Sequence, residues 1–333
     1  MTDYKDIIVR ELDILRKKEQ QEGNTFKAIA YAKILQQLKS KQTIQSMEDL
    51  KDLKGVGERI QKKLEEIFET GHLQAAEEAR KDIGIDRVDT FMNIYGVGRV
   101  KAVKLVKENK IQSIEALREA IKTDPDLLNT NQTIGLKYYE DLLERIPRTE
   151  MKKHEKLVKK TISKVSKSLE IEVVGSYRRG EPNSGDIDVL IKWPMTQSMV
   201  EGKATLQKIV ESLEESHYVI EKLALGEKKF MGICQFPGDK ARRLDLLLTP
   251  EPEYGFAVMY FTGSDKFNVE VRRIALEKGY SLNEHGFTPK EGVPPAPLLL
   301  TETDIFAFLG YRYIQPKYRK VGIQFKRFLL KNS

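Results

Sequence analysis

The sequence is poor in cysteine and has no long uncharged stretch. Its single cysteine, Cys234, excludes an intrachain disulfide and any zinc site built from several cysteines. The longest run without a charged side chain, 254–264, has eleven residues, far fewer than the roughly 20 that span a bilayer. The N-terminus is charged from its third residue and lacks the apolar segment of a secretory signal. We therefore expect a protein of an intracellular, reducing compartment with no membrane contact.

Neither charge sign dominates, although the balance is basic. The 333 residues include 57 Lys and Arg against 50 Asp and Glu, a formal net charge of +7, which weakly favours a polyanionic partner. With 40% hydrophobic and 32% charged residues, the composition is that of a globular protein rather than a disordered one. At roughly 100 to 200 residues per domain, this length suggests two or three domains.

The hydrophobic pattern changes at Pro147. Before it, apolar residues recur at helical spacing and alternation of β-branched residues is scarce. After it, β runs alternate with helical patterns, and the helix predicted for 265–277 is closed by Gly279. The predicted strands are 171–174, 187–191, 230–236 and 244–248, and the other predicted helices are 151–169 and 203–216. The sequence predicts an all-α N-terminal half followed by an α+β half.

One motif occurs twice. LKGVGERIQKKL (53–64) and IYGVGRVKAVKL (94–105) share an apolar residue, a spacer, Gly-Val-Gly and a basic amphipathic segment. A Gly-x-Gly turn before a helix exposes backbone N–H groups to a phosphate at the positive end of the helix dipole. The two copies, with glycines Gly55, Gly57, Gly96 and Gly98, favour sequence-independent contact with a nucleic-acid duplex through helix-hairpin-helix motifs. The alternative is a packing turn followed by a solvated helix face.

The most specific segment is VGSYRRGEPNSGDIDVLI, residues 174–191. We expect a strand to end at Gly175 and Ser176, a basic turn to follow, and a new strand to carry Asp186 and Asp188. Residues two apart on a strand share a face, so the two carboxylates should lie side by side. Oxygen ligands without His or Cys indicate Mg²⁺ or Mn²⁺.

A third carboxylate lies in ARRLDLLLTP, where Asp245 interrupts an apolar strand. An unpaired buried aspartate costs several kcal/mol, so it needs a partner. Three aspartates on neighbouring strands could hold two metal ions roughly 3.5 to 4 Å apart, as in phosphoryl-transfer sites. In the alternative, Asp186 and Asp188 form a surface turn and Asp245 pairs with Arg242 or Arg243.

The segment GSYRRGEPNSGDIDVLI resembles the nucleotidyltransferase signature of the family X DNA polymerases, and YFTGSDKFNVEVRRIALEKGYSLNEHG (260–286) extends the resemblance. The similarity covers about 26–317. It implies a multidomain protein whose all-α N-terminal lyase domain with helix-hairpin-helix motifs precedes an α+β nucleotidyltransferase palm with flanking subdomains. The implied boundaries are 1–85 for the lyase domain, 86–148 for the helix-hairpin-helix subdomain, 149–252 for the palm, and 253–333 for the nascent-base-pair-binding subdomain and tail.

The resemblance also assigns roles to individual residues. Asp186 and Asp188 would bind both metals, and Asp245 would bind the catalytic metal and help to deprotonate the primer 3′-hydroxyl. The implied nucleotide-binding residues are Arg148, Ser176, Arg179, Gly185, Tyr260, Phe261, Gly263, Asp265 and Asn268. The implied DNA-binding residues are Lys27, Arg59, Gly55, Gly57, Gly96, Gly98, Arg243 and Arg272.

In the first domain, the resemblance implies a 5′-deoxyribose phosphate lyase whose nucleophile is Lys63. A helical wheel agrees, because Lys63 lies roughly 85° from the centre of the apolar face and the neighbouring Lys62 roughly 175°. Partial burial would lower the pKa of Lys63 towards that of a Schiff-base lysine. The alternative is a lysine at the edge of the face that only extends to solvent. Arg59 and Lys27 are the candidate ligands of the 5′-phosphate.

The expected function is template-dependent filling of short gaps in base excision repair, with removal of the 5′-deoxyribose phosphate. The expected cofactors are two Mg²⁺ ions, with Mn²⁺ as a substitute, and a monovalent cation at the hairpin turns. The expected partners are gapped or nicked DNA with a 5′-phosphate, dNTPs and repair proteins such as a DNA ligase, around a monomeric enzyme. A nuclear location would follow for a eukaryotic source, and a viral source also fits. The alternatives are an untemplated terminal nucleotidyltransferase and a non-catalytic DNA-binding scaffold.

Four residues depart from the pattern that the resemblance leads us to expect. Leu247 stands where an arginine would shift a catalytic carboxylate between two states, and Val269 stands where a lysine would stack on the template. His285 and Phe26 each replace a tyrosine, near the thumb hinge and in the lyase site respectively. We expect fidelity, closure and lyase efficiency to differ accordingly.

Overall fold

The computed structural model describes residues 2–320 and 323–330. The chain divides into two compact units, 1–137 and 138–333. Within the described ranges, no helix is both long and apolar enough to cross a membrane.

The first unit is built from helices joined by short turns. Its helices are α1 (Lys5–Gln21), α2 (Thr25–Ser40), α3 (Glu58–Thr70), α4 (Gln74–Ile83), α5 (Ile85–Met92), α6 (Arg99–Lys107), α7 (Ile114–Thr123) and α8 (Thr130–Lys137), with 3₁₀ turns at Met47–Leu50 and Pro125–Leu127. A core beneath α1, α2 and α3 includes Leu12, Leu38, Leu64 and Ile67, none of which has exposed surface. Each such side chain stabilises the fold by about 1.5 to 3 kcal/mol relative to an exposed one.

The second unit contains a five-stranded sheet. Its helices are α9 (Tyr139–Leu143), α10 (Arg148–Val165), α11 (Gly175–Arg178), α12 (Met199–Glu215), α13 (Glu251–Thr262), α14 (Asp265–Glu277) and α15 (Glu302–Leu309), with 3₁₀ turns at Pro316–Tyr318 and Phe325–Phe328. Its strands are β1 (Ile146–Pro147), β2 (Glu170–Val173), β3 (Asn183–Ser184), β4 (Ile187–Trp193), β5 (Val219–Leu225), β6 (Lys229–Cys234), β7 (Arg242–Pro250), β8 (Tyr280–Leu282) and β9 (Phe287–Pro289).

The sheet order is β2-β4-β7-β6-β5, and β4 and β7 are parallel while the other pairs are antiparallel. Helices α10 and α12 cover one face, where Leu244, Leu246 and Leu248 alternate into the core. Helix α13 covers the other face through Ala257 and Val258. Both faces are therefore buried, as is usual around parallel strands.

A separate apolar core holds the C-terminal part of this unit. Phe267 of α14 and Phe306 of α15 are fully buried, with ring centroids 6.2 Å apart. The β8–β9 hairpin packs on the same core through Leu282.

The structure confirms most of the predicted elements, adds the strand β5 and corrects the end of β2. Helix α14 has the predicted bounds, and Gly279 after it adopts φ 88°. Strand β5 was not predicted, because charged Glu221 and Lys222 interrupt its apolar alternation where the register shifts. The prediction that a strand ends at Gly175 and Ser176 was wrong, because β2 ends at Val173 and the next residues form the helical turn α11.

Candidate active site

Three carboxylates meet at the junction of β4 and β7. Asp188 and Asp245 are directly paired across these parallel strands. Asp186 lies in the bend just before β4 rather than on the strand itself, two residues ahead of Asp188. Asp245 is 5% exposed, and the side chain of Asp186 is 37% exposed. The strand register therefore brings together the three aspartates that the sequence singled out.

Burial and mutual repulsion dominate the electrostatics of this group. Burial, with the charges of Asp186 and Asp245, raises the pKa of Asp188 to about 7. Burial also raises the pKa of Asp245, and the nearby cations Arg243 and Lys229 oppose that shift. Gly175 leaves room for the group, because a Cβ there would lie 3.3 Å from Asp188 Oδ2.

Two cations contact the carboxylates. Arg243 Nη2 lies 3.1 Å from Asp186 Oδ2 and 3.7 Å from Asp245 Oδ2, so it bridges the two groups. Lys229 Nζ lies 3.4 Å from Asp245 Oδ2. Arg242 instead forms a bidentate pair with Glu150, at 2.7 and 3.1 Å. Of the two arginines considered as partners of Asp245, Arg243 is the one that contacts it.

The donor set fits a hard divalent cation. Asp245 Oδ1 is buried and has no hydrogen-bond partner among the described residues, which is costly unless a cation is bound. The neighbouring donors are carboxylate oxygens, the ligands preferred by Mg²⁺. No three His, Cys, Asp or Glu residues in 2–320 and 323–330 are already arranged as a metal-binding group. In this arrangement Arg243 contacts both Asp186 and Asp245.

The basic turn between β2 and β3 lies beside the carboxylates. Ser176 Oγ donates to Ser184 Oγ at 3.0 Å. Arg148 donates to the carbonyls of Tyr177 and Glu181 and stacks on the Tyr177 ring. Arg148 thus stabilises the turn through these hydrogen bonds and the ring contact. Gly185 follows the turn, and a Cβ there would lie 3.3 Å from Arg145 Nη1.

The two arginines of the turn contact the end of α13. Arg179 Nη1 donates to the Thr262 carbonyl at 2.6 Å, and Arg178 donates to Thr262 Oγ1 and pairs with Glu302, both at 2.9 Å. Burial lowers the pKa of the Arg179 guanidinium, and the carboxylates of Glu181 and Asp265 oppose this shift. The structure therefore brings the turn and the Thr262 segment together.

The predicted nucleotide-binding residues beyond the turn surround Tyr260. Its ring meets Phe261 edge-to-face at 5.1 Å, in the last turn of α13 before Gly263. Asn268 Nδ2 donates to the Tyr260 carbonyl at 2.8 Å, and the Arg272 guanidinium lies 5.1 Å from the Tyr260 ring centroid. Asp265, also predicted to bind the nucleotide, is exposed at the start of α14.

In the first unit, the two Gly-Val-Gly turns have the same backbone geometry. Gly55 and Gly96 adopt φ of 87° and 80°, which is strained for other residues. Gly57 and Gly98 are extended N-cap residues of α3 and α6, without a side-chain cap. Open space surrounds Gly55, Gly57 and Gly98, whereas Gly96 lies near Gln132. The repeat in sequence is therefore a repeat in structure.

The two lysines of α3 differ as the helical wheel predicted. Lys63 is half-buried, and its Nζ donates to the Arg59 carbonyl at 3.4 Å. Lys62 is 72% exposed and pairs with Glu58. Lys27 lies on α2 and pairs with Glu19 at 3.3 Å. Arg59 lies one helical turn before Lys63 on α3, while Lys27 is on α2, and their joint role at a 5′-phosphate stays a prediction.

Sequence comparisons identify the family. Profiles match in chain order: "Helix-hairpin-helix domain" at 5–73, "Fingers domain of DNA polymerase lambda" at 89–143, "DNA polymerase beta palm" at 145–251 and "DNA polymerase beta thumb" at 257–320. The chain belongs to the family X DNA polymerases. The order of the profiles confirms the predicted fold class: a helical region followed by an α+β polymerase core.

Curated relatives of this family X chain agree. It is 32% identical to DNA polymerase lambda of Rattus norvegicus over 338 residues, covering 96% of the chain and 56% of the relative. It is 31% identical to DNA polymerase lambda of Arabidopsis thaliana, covering 84% and 55%. It is 25% identical to DNA polymerase IV of Saccharomyces cerevisiae, covering 96% and 68%. The chain thus spans little more than half of either lambda relative.

The four departures from the family pattern have defined surroundings. Leu247 is half-buried against α13, and Val269 is 65% exposed on α14. His285 Nδ1 lies 2.6 Å from Glu253 Oε2. Phe26 is 91% exposed on α2. In this family X chain, Leu247 carries no charge, so it cannot pair with Asp188.

Lys229 was not among the residues predicted from the sequence. The predicted strand began at Phe230, one residue too late to include it. Alternation along β6 places Lys229 and Met231 on one face, and Met231 is paired with Asp245. A strand predicted to begin one residue earlier would have included Lys229, and its alternation of faces would have pointed to this residue.

Proposed function

We propose that this chain is a template-dependent DNA polymerase that fills short gaps, with a 5′-deoxyribose phosphate lyase activity in its N-terminal unit. The observation that carries the proposal is the pairing of Asp188 with Asp245 across parallel strands, with Asp186 beside them. Three carboxylates crowded at the junction of two inner strands are costly to the fold, and a site for divalent cations accounts for that cost. Family membership supplies the reaction class.

Asp186, Asp188 and Asp245 would hold two Mg²⁺ ions, which when bound neutralise charge on the nucleotide phosphates and make the primer 3′-hydroxyl more acidic. Asp245 would also help to take the proton from that hydroxyl. The 3′-oxygen then attacks the α-phosphorus of the dNTP in line, the bond from that phosphorus to the bridging oxygen breaks, and pyrophosphate leaves.

The other residues would position the nucleotide. Ser176 and Arg179 lie on the turn next to the carboxylates, where hydroxyl and guanidinium groups can bind the β- and γ-phosphates. To do so, Arg179 would exchange the Thr262 carbonyl for a phosphate oxygen. Tyr260, which Asn268 and Arg272 contact, would pack against the sugar of the nucleotide and the nascent base pair.

The lyase half of the proposal depends on Lys63. Its amine would condense with the C1′ aldehyde of an abasic sugar and expel water, and β-elimination would then break the bond from C3′ to its phosphate oxygen. Half-burial of Lys63, against 72% exposure of Lys62, favours Lys63 as the nucleophile. The uncapped N-termini of α3 and α6 are suited to backbone phosphates.

A primer-extension assay tests the proposal against its two alternatives. The expected substrate is a one-nucleotide gapped duplex, and single-stranded DNA of the same primer sequence is the comparison. Templated addition of one nucleotide to the gap, with little extension of the single strand, is the expected result. Extension of both substrates would indicate untemplated synthesis, and binding without extension would indicate a non-catalytic scaffold.

A further inference from the structure

The C-terminal segment of the second unit continues beyond the matched thumb profile, which ends at residue 320. Residues 323–330 fold back onto the subdomain. The Phe325 ring stacks on Phe267 at 5.6 Å, and Arg312 N–H donates to the Phe328 carbonyl at 2.7 Å. Leu330 N–H donates to the Gly310 carbonyl at 3.0 Å. The segment is thus anchored by a buried ring and by backbone hydrogen bonds.

This segment and the preceding 3₁₀ turn form a groove, which we call the tail groove. Its volume is about 380 Å³. It is lined by Lys317, Tyr318, Lys320, Ile323, Gln324, Arg327 and Phe328. Tyr318 is 50% exposed, with its ring 6.3 Å from that of Phe328. Lys317 Nζ lies 5.0 Å from the Tyr318 ring centroid. The groove therefore combines accessible aromatic rings with cations.

Two of the three cations that line the tail groove are not neutralised by the fold. Residues 311–333 contain no Asp or Glu. Among the described residues, no carboxylate forms an ion pair with Lys317 or Arg327, whereas Lys320 pairs with Glu181 at 3.3 Å. The buried Arg319 is likewise paired, with Glu302 at 2.6 Å. Two cations at the groove thus remain available to a ligand.

We infer that the tail groove binds a single nucleic-acid strand, with phosphates at Lys317 and Arg327 and a base stacked on Tyr318. Cations beside exposed aromatic rings are the combination by which proteins bind single strands without sequence preference. An acidic protein segment could match the charge, but it would not use the ring face. The inference does not depend on the proposed catalysis, because none of these residues belongs to the carboxylate site.

The experiment titrates the full chain against a fluorescein-labelled oligothymidylate by fluorescence anisotropy across a salt series. The Lys317→Ser/Arg327→Ser double variant is compared with Lys164→Ser/Lys208→Ser, which removes two exposed charges from α10 and α12. At about 0.7 per phosphate contact on single strands, the tail variant should lower the salt slope by about 1.4 and weaken binding about 25-fold at 0.1 M salt. The control variant should bind like the wild type.

Stacking is tested separately from charge. Tyr318→Leu should weaken oligothymidylate binding by about 5-fold or more without changing the salt slope. An oligomer of equal length built from tetrahydrofuran abasic residues, which have no aldehyde to react with Lys63, should bind the wild type correspondingly more weakly, which checks stacking without any mutation. Equal affinities of the tail and control double variants would overturn the inference, as would equal affinity for the abasic oligomer. Displacement by a polyglutamate peptide as effectively as by unlabelled oligothymidylate would show an acidic-protein site instead.

Discussion

Replacing Asp188 by Asn should stabilise the metal-free protein, although Asp188 is a proposed metal ligand. Burial and the charges of Asp186 and Asp245 raise the pKa of Asp188 from 3.8 to about 7. At about 1.4 kcal/mol for each tenfold change in proton affinity, the ionised side chain costs the fold about 4 kcal/mol. Asparagine removes that charge while keeping the shape of the side chain. The gain in free energy of unfolding should therefore approach about 4 kcal/mol at pH 8.

The direction of the pH dependence follows from linkage. Because the pKa of Asp188 is higher in the folded state, the folded protein binds more protons between pH 3.8 and about 7. The contribution of Asp188 to the wild-type free energy of unfolding therefore falls as pH rises through this window and is constant above it. The Asp188→Asn variant lacks this loss. Its free energy of unfolding should therefore exceed that of the wild type only slightly near pH 4, and by the full difference above pH 7.

Urea denaturation in EDTA measures the effect. The only tryptophan, Trp193, is 4% exposed at the end of β4, so its fluorescence reports the unit that contains the site. Glu227→Gln, which removes one 80% exposed carboxylate from the β5–β6 turn, is the charge-matched control and should change stability by less than about 0.5 kcal/mol. An Asp188→Asn protein that is no more stable than wild type at pH 8 would refute the reasoning. Added Mg²⁺ should stabilise the wild type more than the variant.

Three further results are expected. The Asp245→Ala variant should bind gapped DNA and Mg²⁺·dNTP within a few-fold of wild type. In single-turnover measurements it should incorporate nucleotides orders of magnitude more slowly, because the lost interaction acts mainly in the transition state. An unchanged rate would make Asp245 only a structural partner of Arg243. Borohydride should trap wild type on abasic DNA, with most trapping lost in Lys63→Ala and little in Lys62→Ala, and the reverse pattern would move the nucleophile by one residue. Affinity for gapped DNA should fall steeply with salt. It should also drop when the 5′-phosphate is removed, and an unchanged affinity would contradict the assignment of Arg59 and Lys27 as ligands of that phosphate.

Local signals predicted a large part of this structure. The repeated Gly-Val-Gly turns, the bounds of α14 and the apolar alternation of β7 each depend on a few neighbouring residues, and each has the expected form. The pairing of Asp188 with Asp245 needed a further step, because it depends on which strands are neighbours. The resemblance to family X supplied that step, and the register confirms that the two residues are adjacent.

Other features depend on contacts between segments distant in sequence. Asp186 sits in a bend because β3 pairs with β1, which delays the start of β4. The choice between Arg242 and Arg243 as partner of Asp245 was left open, although a period of two already places Arg243 on the face of Asp245. The contact of Arg179 with Thr262 could not be predicted, because it joins residues 83 positions apart.

The surroundings of Arg242 have a mechanical consequence. Its guanidinium donates to the carbonyls of Asp141 and Glu144, and the Asp141 carboxylate accepts from Ala241 N–H at 2.9 Å. The strand that carries Asp245 is thereby fastened at its first residue to the segment through which the chain enters the second unit. Residues 141–144 therefore fix where β7 starts, three residues before Asp245. A substitution in that short segment can shift the carboxylate of Asp245 without replacing it.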